Sequence, residues 1–265
     1  MKVTEIMNPL ISVDKDALVS EALNLMDKHG LTHILVTEKN KVIGYCSDLN
    51  IADRLGSSRL GSFSTKSIHV SSVMASFNLF IDSSTPVNTV ADRMICESRT
   101  VYPVGGGDKT LGFITMHDFA KICEALTRVK ISKVYSTIDI FAKPDDRLVN
   151  LRNILIENNF VNAAPVLEGS TLVGLADIRM IARKLSVFRN TVPGKHQEES
   201  IRRLLVFDAM MQNPPTLTPN SSIAEAAKIF TTKLIYGIPV LENGNLLGVL
   251  QISDLVKWVR REIKF

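Results

Sequence analysis

A hydroxyl and a carboxylate stand three residues apart in the segment GFITMHDF, which spans residues 112–119. Thr115 and Asp118 follow an apolar run that is typical of a buried strand, at the point where a helix is expected to begin. A carboxylate accepts hydrogen bonds and a hydroxyl can donate or accept them, so the two side chains could contact a polar ligand. The same Asp118 could equally be a plain helix cap. The pair therefore predicts either a ligand contact or a capping residue.

The segment belongs to a fourfold internal repeat. Its glycine recurs in GYCSDLNI, GFITMHDF, GLADIRMI and GVLQISDL, at positions 44, 112, 174 and 248. Upstream of three of these glycines, apolar residues at i, i+3, i+4 and i+7 predict an amphipathic helix, and the third unit matches more loosely. Each unit is expected to read strand, helix, strand, short loop, strand and helix. A unit of about 60 residues buries too little surface to be robust alone, so the units are expected to pair.

Three units also carry an apolar Pro-Val strand, in VYPV, AAPV and GIPV. Together with Gly-x-x-Thr-x-x-Asp, this pattern resembles the cystathionine-β-synthase (CBS) domain family, and the resemblance covers nearly the whole chain. It implies an α/β fold of four β-α-β-β-α repeats, paired into two Bateman modules that form a flat disc. The same arrangement occurs in the gamma subunit of AMP-activated protein kinase and in archaeal four-repeat proteins. We expect repeats at residues 1–60, 61–125, 126–185 and 186–265, the last with a preceding linker.

The resemblance also implies adenine nucleotides in clefts between paired repeats. In this family the motif Asp binds the ribose hydroxyls, the Thr or Ser contacts phosphate, and backbone just before the Pro-Val strand reads the adenine edge. The second repeat matches this pattern fully, with Thr115 and Asp118. Its expected base-side residues are Thr100, Val101 and Tyr102.

The fourth and first repeats match in part. The fourth has Gln251 for Thr but keeps Asp254, with Ser253 beside it. The first has Ser47, and Asn50 stands in place of Asp. A neutral Asn accepts more weakly from a ribose hydroxyl, so we rank Asp118 first, then Asp254, then Asn50. The base-side strand expected for the fourth repeat is Tyr236, Gly237 and Ile238.

The third repeat is expected to have lost its site. Asp177 stands where Thr belongs, and Met180 stands where Asp belongs. A carboxylate aimed at phosphate repels it, and a methionine offers a diol nothing. Arg179, beside the lost Asp, is expected to face the phosphates of a nucleotide held by Asp254.

No nucleophile–base pair, catalytic residue, metal cluster or cofactor site is evident, so we do not expect an enzyme. The leading interpretation is a regulatory energy sensor that binds AMP, ADP or ATP and acts through an unidentified regulated protein. Homodimerisation is left open. The alternative is a nucleic-acid-binding regulator that uses the basic linkers between repeats. We rank it second because the net charge is only +4 and the pI is about 8.9.

The remaining features favour a cytoplasmic protein without membrane contact. The longest apolar runs, such as HILV and LLGVL, are far shorter than the ~20 residues of a membrane span. The N-terminus MKVTEIMNPL has no signal-peptide core. Three widely spaced cysteines fit a reducing compartment. The polar stretch Ser186–Arg203 is expected to be a mobile linker or docking strip.

Overall fold

The chain has a mixed α/β fold in a computed structural model that describes residues 1–57, 63–77, 79–106, 109–135, 137, 140–158 and 160–263. Within these described residues, four single turns of 3-10 helix recur, and each opens one repeat. The turns are Val3–Glu5, Val70–Ser72, Ile131–Lys133 and Val206–Asp208. The boundary expected at residues 60 and 61 lies outside the described residues, and the other expected boundaries stay predictions.

The first two repeats follow the predicted order of strands and helices. The first contains β1 (Asn8–Pro9), β2 (Ser12–Asp14), α1 (Val19–Lys28), β3 (His33–Glu38), β4 (Lys41–Ser47) and α2 (Asp48–Gly56). The second contains β5 (Ala75–Ser76), α3 (Val87–Cys96), β6 (Val101–Gly106), β7 (Lys109–Thr115) and α4 (Asp118–Cys123).

The last two repeats have the same order, except that no strand precedes the first helix of the third repeat among the described residues, and one extra helix lies between them. The third contains α5 (Leu148–Glu157), β8 (Ala163–Glu168), β9 (Thr171–Asp177) and α6 (Ile178–Thr191), and α7 (Gly194–Ile201) follows it. The fourth contains β10 (Met211–Gln212), α8 (Ile223–Lys233), β11 (Gly237–Glu242), β12 (Asn245–Gln251) and α9 (Ile252–Glu262).

Repeats pair by exchanging their short edge strands. β1 of the first repeat pairs with β7 of the second, and β5 of the second pairs with β4 of the first. β10 of the fourth repeat pairs with β9 of the third in the same way. The recurring glycine makes room for this exchange. A Cβ on Gly112 would lie 2.1 Å from the Asn8 carbonyl oxygen, and one on Gly44 would lie 2.3 Å from that of Ala75.

The two pairs form modules that pack through their helices. The first module comprises the first and second repeats, and the second comprises the third and fourth. The α2 helix packs on α6, and α3 and α4 pack on α9. The α4 helix also contacts α8. The first repeat therefore faces the third, and the second faces the fourth.

The expectation of a mobile linker at Ser186–Arg203 is wrong, because most of this stretch is helical. The α6 helix continues to Thr191, and α7 begins at Gly194. Arg189 is only 2% exposed, and it donates to the backbone oxygens of Leu55 and Ser57 at 2.9 and 2.8 Å. Polar residues hid this contact from the sequence pattern, because here a guanidinium rather than an apolar side chain is buried.

Candidate functional site

Each motif lies where the last strand of its repeat gives way to a helix. The strand registers make the four motifs equivalent, because His33, Val101, Ala163 and Gly237 lie opposite Ser47, Thr115, Asp177 and Gln251 respectively. The residues just before those strands, Thr32, Thr100, Asn162 and Tyr236, are therefore equivalent as well. This register allows the four candidate clefts to be compared atom by atom.

Asp118 is buried and bonded on both carboxylate oxygens. Its Oδ2 accepts from the Thr115 backbone N–H at 2.7 Å and from the Thr115 hydroxyl at 2.9 Å. Asn8 of the first repeat donates to the same oxygen at 2.7 Å. Oδ1 accepts from Lys121 Nζ at 2.7 Å. Burial raises the pKa of Asp118, and Lys121 acts against that shift. Asp118 is thus the first residue of α4 and bonds back to the Thr115 backbone, as the carboxylate of a capping box does, and its lysine partner lies three residues further along.

A small pocket lies beside this carboxylate, at the junction of three repeats. Its volume is about 100 Å³. The first repeat supplies Asn8, Gly30, Leu31 and Thr32; the second supplies Thr115, His117, Asp118 and Lys121; the fourth supplies Thr231 and Leu234. The pocket therefore spans both modules, which no motif within a single repeat could indicate.

The base-side strand expected for the Asp118 site does not line this pocket. Thr100 bonds through its hydroxyl to His33 Nε2 at 2.9 Å, and Val101 is buried. Tyr102 is buried and donates to Glu97 at 2.5 Å. The segment before β3 of the first repeat, ending at Thr32, takes the expected place. The exchange of strands between repeats is the cause, because it turns each motif toward its partner repeat.

Asp254 repeats the arrangement of Asp118. Its Oδ2 accepts from the Gln251 backbone N–H at 3.0 Å, and its Oδ1 accepts from Lys257 Nζ at 2.9 Å. Ser253 is fully buried and donates to the Phe160 carbonyl oxygen at 2.9 Å. The motif Asp and the lysine three residues later thus recur in both repeats that keep the carboxylate.

The other residues expected at the Asp254 site are engaged within the protein. The Tyr236 backbone N–H donates to Asp177 at 3.0 Å. Gly237 lies opposite Gln251 in the β11–β12 hairpin, and Ile238 is fully buried. Their assignment to a nucleotide stays a prediction.

The first and third repeats are capped internally. The Ser47 hydroxyl donates to Asn50 Oδ1 at 2.6 Å and accepts from the Asn50 backbone N–H at 3.2 Å. Asp177 caps α6 by accepting from the Met180 backbone N–H at 2.8 Å. Burial raises the pKa of Asp177 to about 6. The rank of Asn50 as a ligand residue stays a prediction, and Met180 offers no polar side-chain atom.

Arg179 does not bond to Asp254. Its guanidinium donates to the Leu31 carbonyl oxygen at 2.9 Å and lies 3.3 Å from Asp48 and 2.8 Å from Asp27. All three partners belong to the first repeat, because Arg179 opens α6 and α6 packs on α2. Arg183 was not predicted as a site residue, although its spacing from Met180 equals that of Lys121 from Asp118. Arg183 joins the same two aspartates, at 2.8 Å from Asp27 and 3.0 Å from Asp48.

The described part of the chain offers no evident metal centre. No group of three or more His, Cys, Asp and Glu side chains in it is placed to hold an ion. None of its helices is long and apolar enough to cross a bilayer.

Comparison with other proteins places these repeats in a family. The CBS domain family matches residues 3–57, 70–125 and 206–261, which lie in the first, second and fourth repeats. An uncharacterised protein of Methanocaldococcus jannaschii is 23% identical over 264 residues, covering 97% of this chain and 61% of that protein. A second uncharacterised protein of that organism is 36% identical over 58 residues, 22% of this chain and 20% of that protein. This chain thus spans less than two thirds of either relative.

Two solved structures share the fold across nearly the whole chain. One is a Methanocaldococcus jannaschii protein that has been proposed as an archaeal homologue of g-AMPK. It has a TM-score of 0.82 at 17% identity and covers 97% of this chain and 99% of that one. An uncharacterised conserved protein of Pyrococcus horikoshii has a TM-score of 0.63 at 19% identity, covering 98% and 100%. The repeats, their pairing and the family match lead to one conclusion: this chain belongs to the CBS-domain family.

Proposed function

We propose that the chain is a regulatory module that binds AMP, ADP or ATP beside Asp118 and thereby changes its contacts with a regulated protein. Its family membership supports a regulatory ligand-binding role. The observation that carries the proposal is the pocket at the junction of three repeats. It brings a buried carboxylate, a lysine and a hydroxyl together with apolar walls, which suits a sugar, a phosphate and a base.

The ribose and the phosphates of the nucleotide are bound by Asp118, Lys121 and Thr115. The Lys121 side chain is 45% exposed, so it can turn toward a phosphate without leaving the pocket rim. That movement frees Asp118 Oδ1 to accept from a ribose hydroxyl. The Thr115 hydroxyl donates to Asp118 in the unliganded chain, and it exchanges that bond for one to phosphate when the nucleotide binds.

The base packs against the segment before β3 and against α8. Leu31 and Leu234 supply apolar walls. Thr32 is only 3% exposed, and its backbone N–H makes no hydrogen bond to any described residue. A buried N–H without a partner is unusual in proteins, so it favours a ligand acceptor at this point.

The pocket must widen to hold a nucleotide. Its volume of about 100 Å³ is below the roughly 300–1,000 Å³ of ligand pockets. Leu234 ends α8 in the left-handed conformation, with φ of 52°, and it forms one wall together with Lys121. We propose that these two side chains move outward when the ligand enters.

Calorimetric titration with AMP, ADP and ATP tests the proposal. Asp118→Ala removes hydrogen bonds to a charged acceptor, which are worth about 1.5–3 kcal/mol, so affinity should fall roughly 10–150-fold. Met180→Ala, at the equivalent position of the third repeat, is the matched control and should leave affinity unchanged. The loss of a cap also lowers the stability of the Asp118 variant by about 1 kcal/mol. Equal affinity in the wild type and Asp118→Ala would show that Asp118 is only a cap.

The nucleic-acid alternative predicts a different dependence on salt. Oligonucleotide affinity should fall steeply between 50 and 200 mM salt, because binding releases counterions from phosphates. Two of the linker cations already have protein partners: Lys130 donates to the Asn220 carbonyl oxygen at 2.6 Å, and Arg203 pairs with Glu199. These contacts favour the nucleotide proposal. Fluorescence anisotropy with a labelled oligonucleotide checks the alternative, while a homodimer and a cytoplasmic location remain predictions.

A further inference from the structure

Gln251 fills the cleft of the fourth repeat with its own side chain. It stands at the position that Thr115 holds in the second repeat, and it is only 3% exposed. Its Oε1 accepts from the Asn162 backbone N–H at 3.2 Å, and its Nε2 donates to the Ala163 carbonyl oxygen at 2.8 Å. Both backbone groups belong to the third repeat. The amide therefore bridges the two repeats where a ligand cleft would lie.

The equivalent backbone N–H in the first module is left open. The Thr115 hydroxyl bonds within its own repeat, to Asp118 at 2.9 Å. The backbone N–H of Thr32, which is equivalent to that of Asn162, has no hydrogen-bond partner among the described residues and belongs to the pocket wall. One donor in the same place is thus available in the first module and occupied in the second.

Two small residues make room for the Gln251 side chain. A Cβ on Gly237 would lie 2.7 Å from Ala163 Cβ and 3.4 Å from Gln251 Oε1. The positions equivalent to Gly237 and Ala163 in the first module hold Val101 and His33. The second module therefore has the space for a long amide that the first module lacks.

The carboxylate half of the fourth-repeat cleft is nevertheless intact. Asp254 is 2% exposed and bonds Lys257 at 2.9 Å, while Asp118 is 3% exposed and bonds Lys121 at 2.7 Å. In both repeats the carboxylate oxygen opposite the lysine accepts from the backbone N–H three residues earlier. The two clefts thus share the carboxylate and its lysine, and they differ at the Thr position and at the positions of Gly237 and Ala163.

We infer that the fourth repeat carries a latent adenine-nucleotide site that Gln251 holds closed. An amide offers one acceptor and one donor, so it occupies both backbone groups at once. The inference rests on the function proposed for the Asp118 pocket, and it sets the stoichiometry: the wild-type chain binds one nucleotide instead of two.

Equilibrium dialysis against AMP tests this stoichiometry in the full chain. Gln251→Thr copies the second repeat and should raise the bound AMP from one to two per chain. Adding Asp254→Asn to that variant should return the bound AMP to one per chain. Gln251→Met is the matched control, because methionine keeps the cleft filled. This variant should still bind one AMP per chain. Gln251→Ser is a second opening variant. In each variant, an unchanged affinity of the Asp118 site for AMP shows that the chain is folded.

The outcomes separate this inference from the proposed function. Two AMP molecules in the wild type would overturn the inference and leave the function standing. One AMP in both Gln251→Thr and Gln251→Ser, at wild-type affinity, would also overturn it. One AMP in Gln251→Thr and none in the wild type would support the latent site and overturn the Asp118 assignment. No AMP in any of these chains would overturn both.

Discussion

Burial holds the histidine that faces the pocket in its neutral form. His117 Nε2 donates to the Ile235 carbonyl oxygen at 3.0 Å, and its ring meets Tyr236 edge-on with centroids 4.8 Å apart. Burial lowers the pKa of His117 from 6.5 to about 4. His33 of the first repeat has its pKa lowered to about 3, mainly by burial and further by the proximity of His117. Both rings must take up a proton when the chain unfolds in mild acid.

His117→Gln should make the protein less sensitive to acid. A histidine with a lowered folded pKa contributes stability that is present above pH 6.5 and is lost as the pH falls toward 4. A shift from 6.5 to about 4 corresponds to about 3 kcal/mol. Glutamine can still donate to Ile235, so the variant should lose less stability than the wild type between pH 7 and 4.5. Urea unfolding at a series of pH values measures the difference.

An exposed histidine provides the control for this measurement. His29 lies on the surface, and His29→Gln should reproduce the wild-type pH profile. If His117→Gln loses as much stability as the wild type between pH 7 and 4.5, the neutral buried ring is not the cause. Some acid sensitivity should survive in the variant, because His33 remains.

Single residues could be predicted from the sequence where their contacts are local. Thr115 and Asp118 bond each other across three residues, so the motif alone places them together. The Asn8 contact to Asp118 spans 110 residues and depends on strand exchange. The Gln251 bridge likewise depends on which repeat faces it. The motif residues were therefore predictable, and their partners from other repeats were not.

At the level of elements, one ion-pair cluster joins α2 to α6. Asp48 is fully buried, and its two carboxylate oxygens lie 3.3 Å from Arg179 and 3.0 Å from Arg183. The residues at the position of Asp48 in the other repeats are apolar: Met116, Ile178 and Ile252. The third repeat has lost its motif carboxylate, so Arg183 is free to cross to the first repeat. In the second repeat this position is Lys121, which lines the pocket. In the third repeat it is Arg183, which forms an ion pair between the modules.

Removing two members of this cluster should cost less than the sum of the two single removals. Breaking a buried ion pair leaves an uncompensated charge, at a cost of about 3–5 kcal/mol. Arg183 is partly exposed, so we expect about 2 kcal/mol for Arg183→Met. Asp48→Ile copies the third and fourth repeats. The double variant should be more stable than the sum of the single effects by about 1–3 kcal/mol. Urea unfolding of the four chains gives this coupling energy.

A surface pair serves as the control for the cluster. Arg203 pairs with Glu199, and both side chains are 71% exposed. Arg203→Met should therefore change stability by less than about 1 kcal/mol. Additive effects of Asp48→Ile and Arg183→Met would contradict the coupling of α2 and α6 through these charges.

The linker helices depend on a second buried arginine. Arg189 Nη1 donates to Gln197 of α7 at 2.9 Å, and its guanidinium lies 4.4 Å from the centre of the Phe63 ring. Arg189→Met removes the contacts that hold this segment, at about 2 kcal/mol for bonds to a charged group. Trypsin cleavage after Lys195 should then accelerate roughly 10–30-fold, because it follows local opening. Peptide mapping by mass spectrometry measures the rate.

A second arginine of this segment provides the control for replacing an arginine by methionine. Arg202 is exposed, and Arg202→Met also removes one trypsin site. It should leave cleavage after Lys195 at the wild-type rate. Rapid cleavage there in the wild type would contradict the docked helices. Helix periodicity predicted α1, α3 and α8, but the polar composition of this segment concealed α7 and the C-terminal end of α6.

Across the whole molecule, the candidate pocket couples the two modules. Its walls come from the first, second and fourth repeats, and Thr231 of α8 bonds Glu124 at 2.9 Å across the interface. Internal repeats predicted four paired units, because each unit shows the same local pattern. They could not predict which repeats face each other, because that depends on side chains outside the motif, such as Asp48 and Arg183.

Nucleotide binding should therefore protect both modules and not only the one that carries the motif. At 100 times its dissociation constant, AMP adds about 2.7 kcal/mol, or roughly 5–10 °C of melting temperature for a chain of this size. Amide exchange should slow in α4 of the first module and at the C-terminal end of α8 in the second, since Leu234 closes the pocket. Asp118→Ala at the same AMP concentration should show neither the shift nor the protection. Protection confined to the first module would contradict a pocket that spans the interface, even if the melting temperature rose as expected.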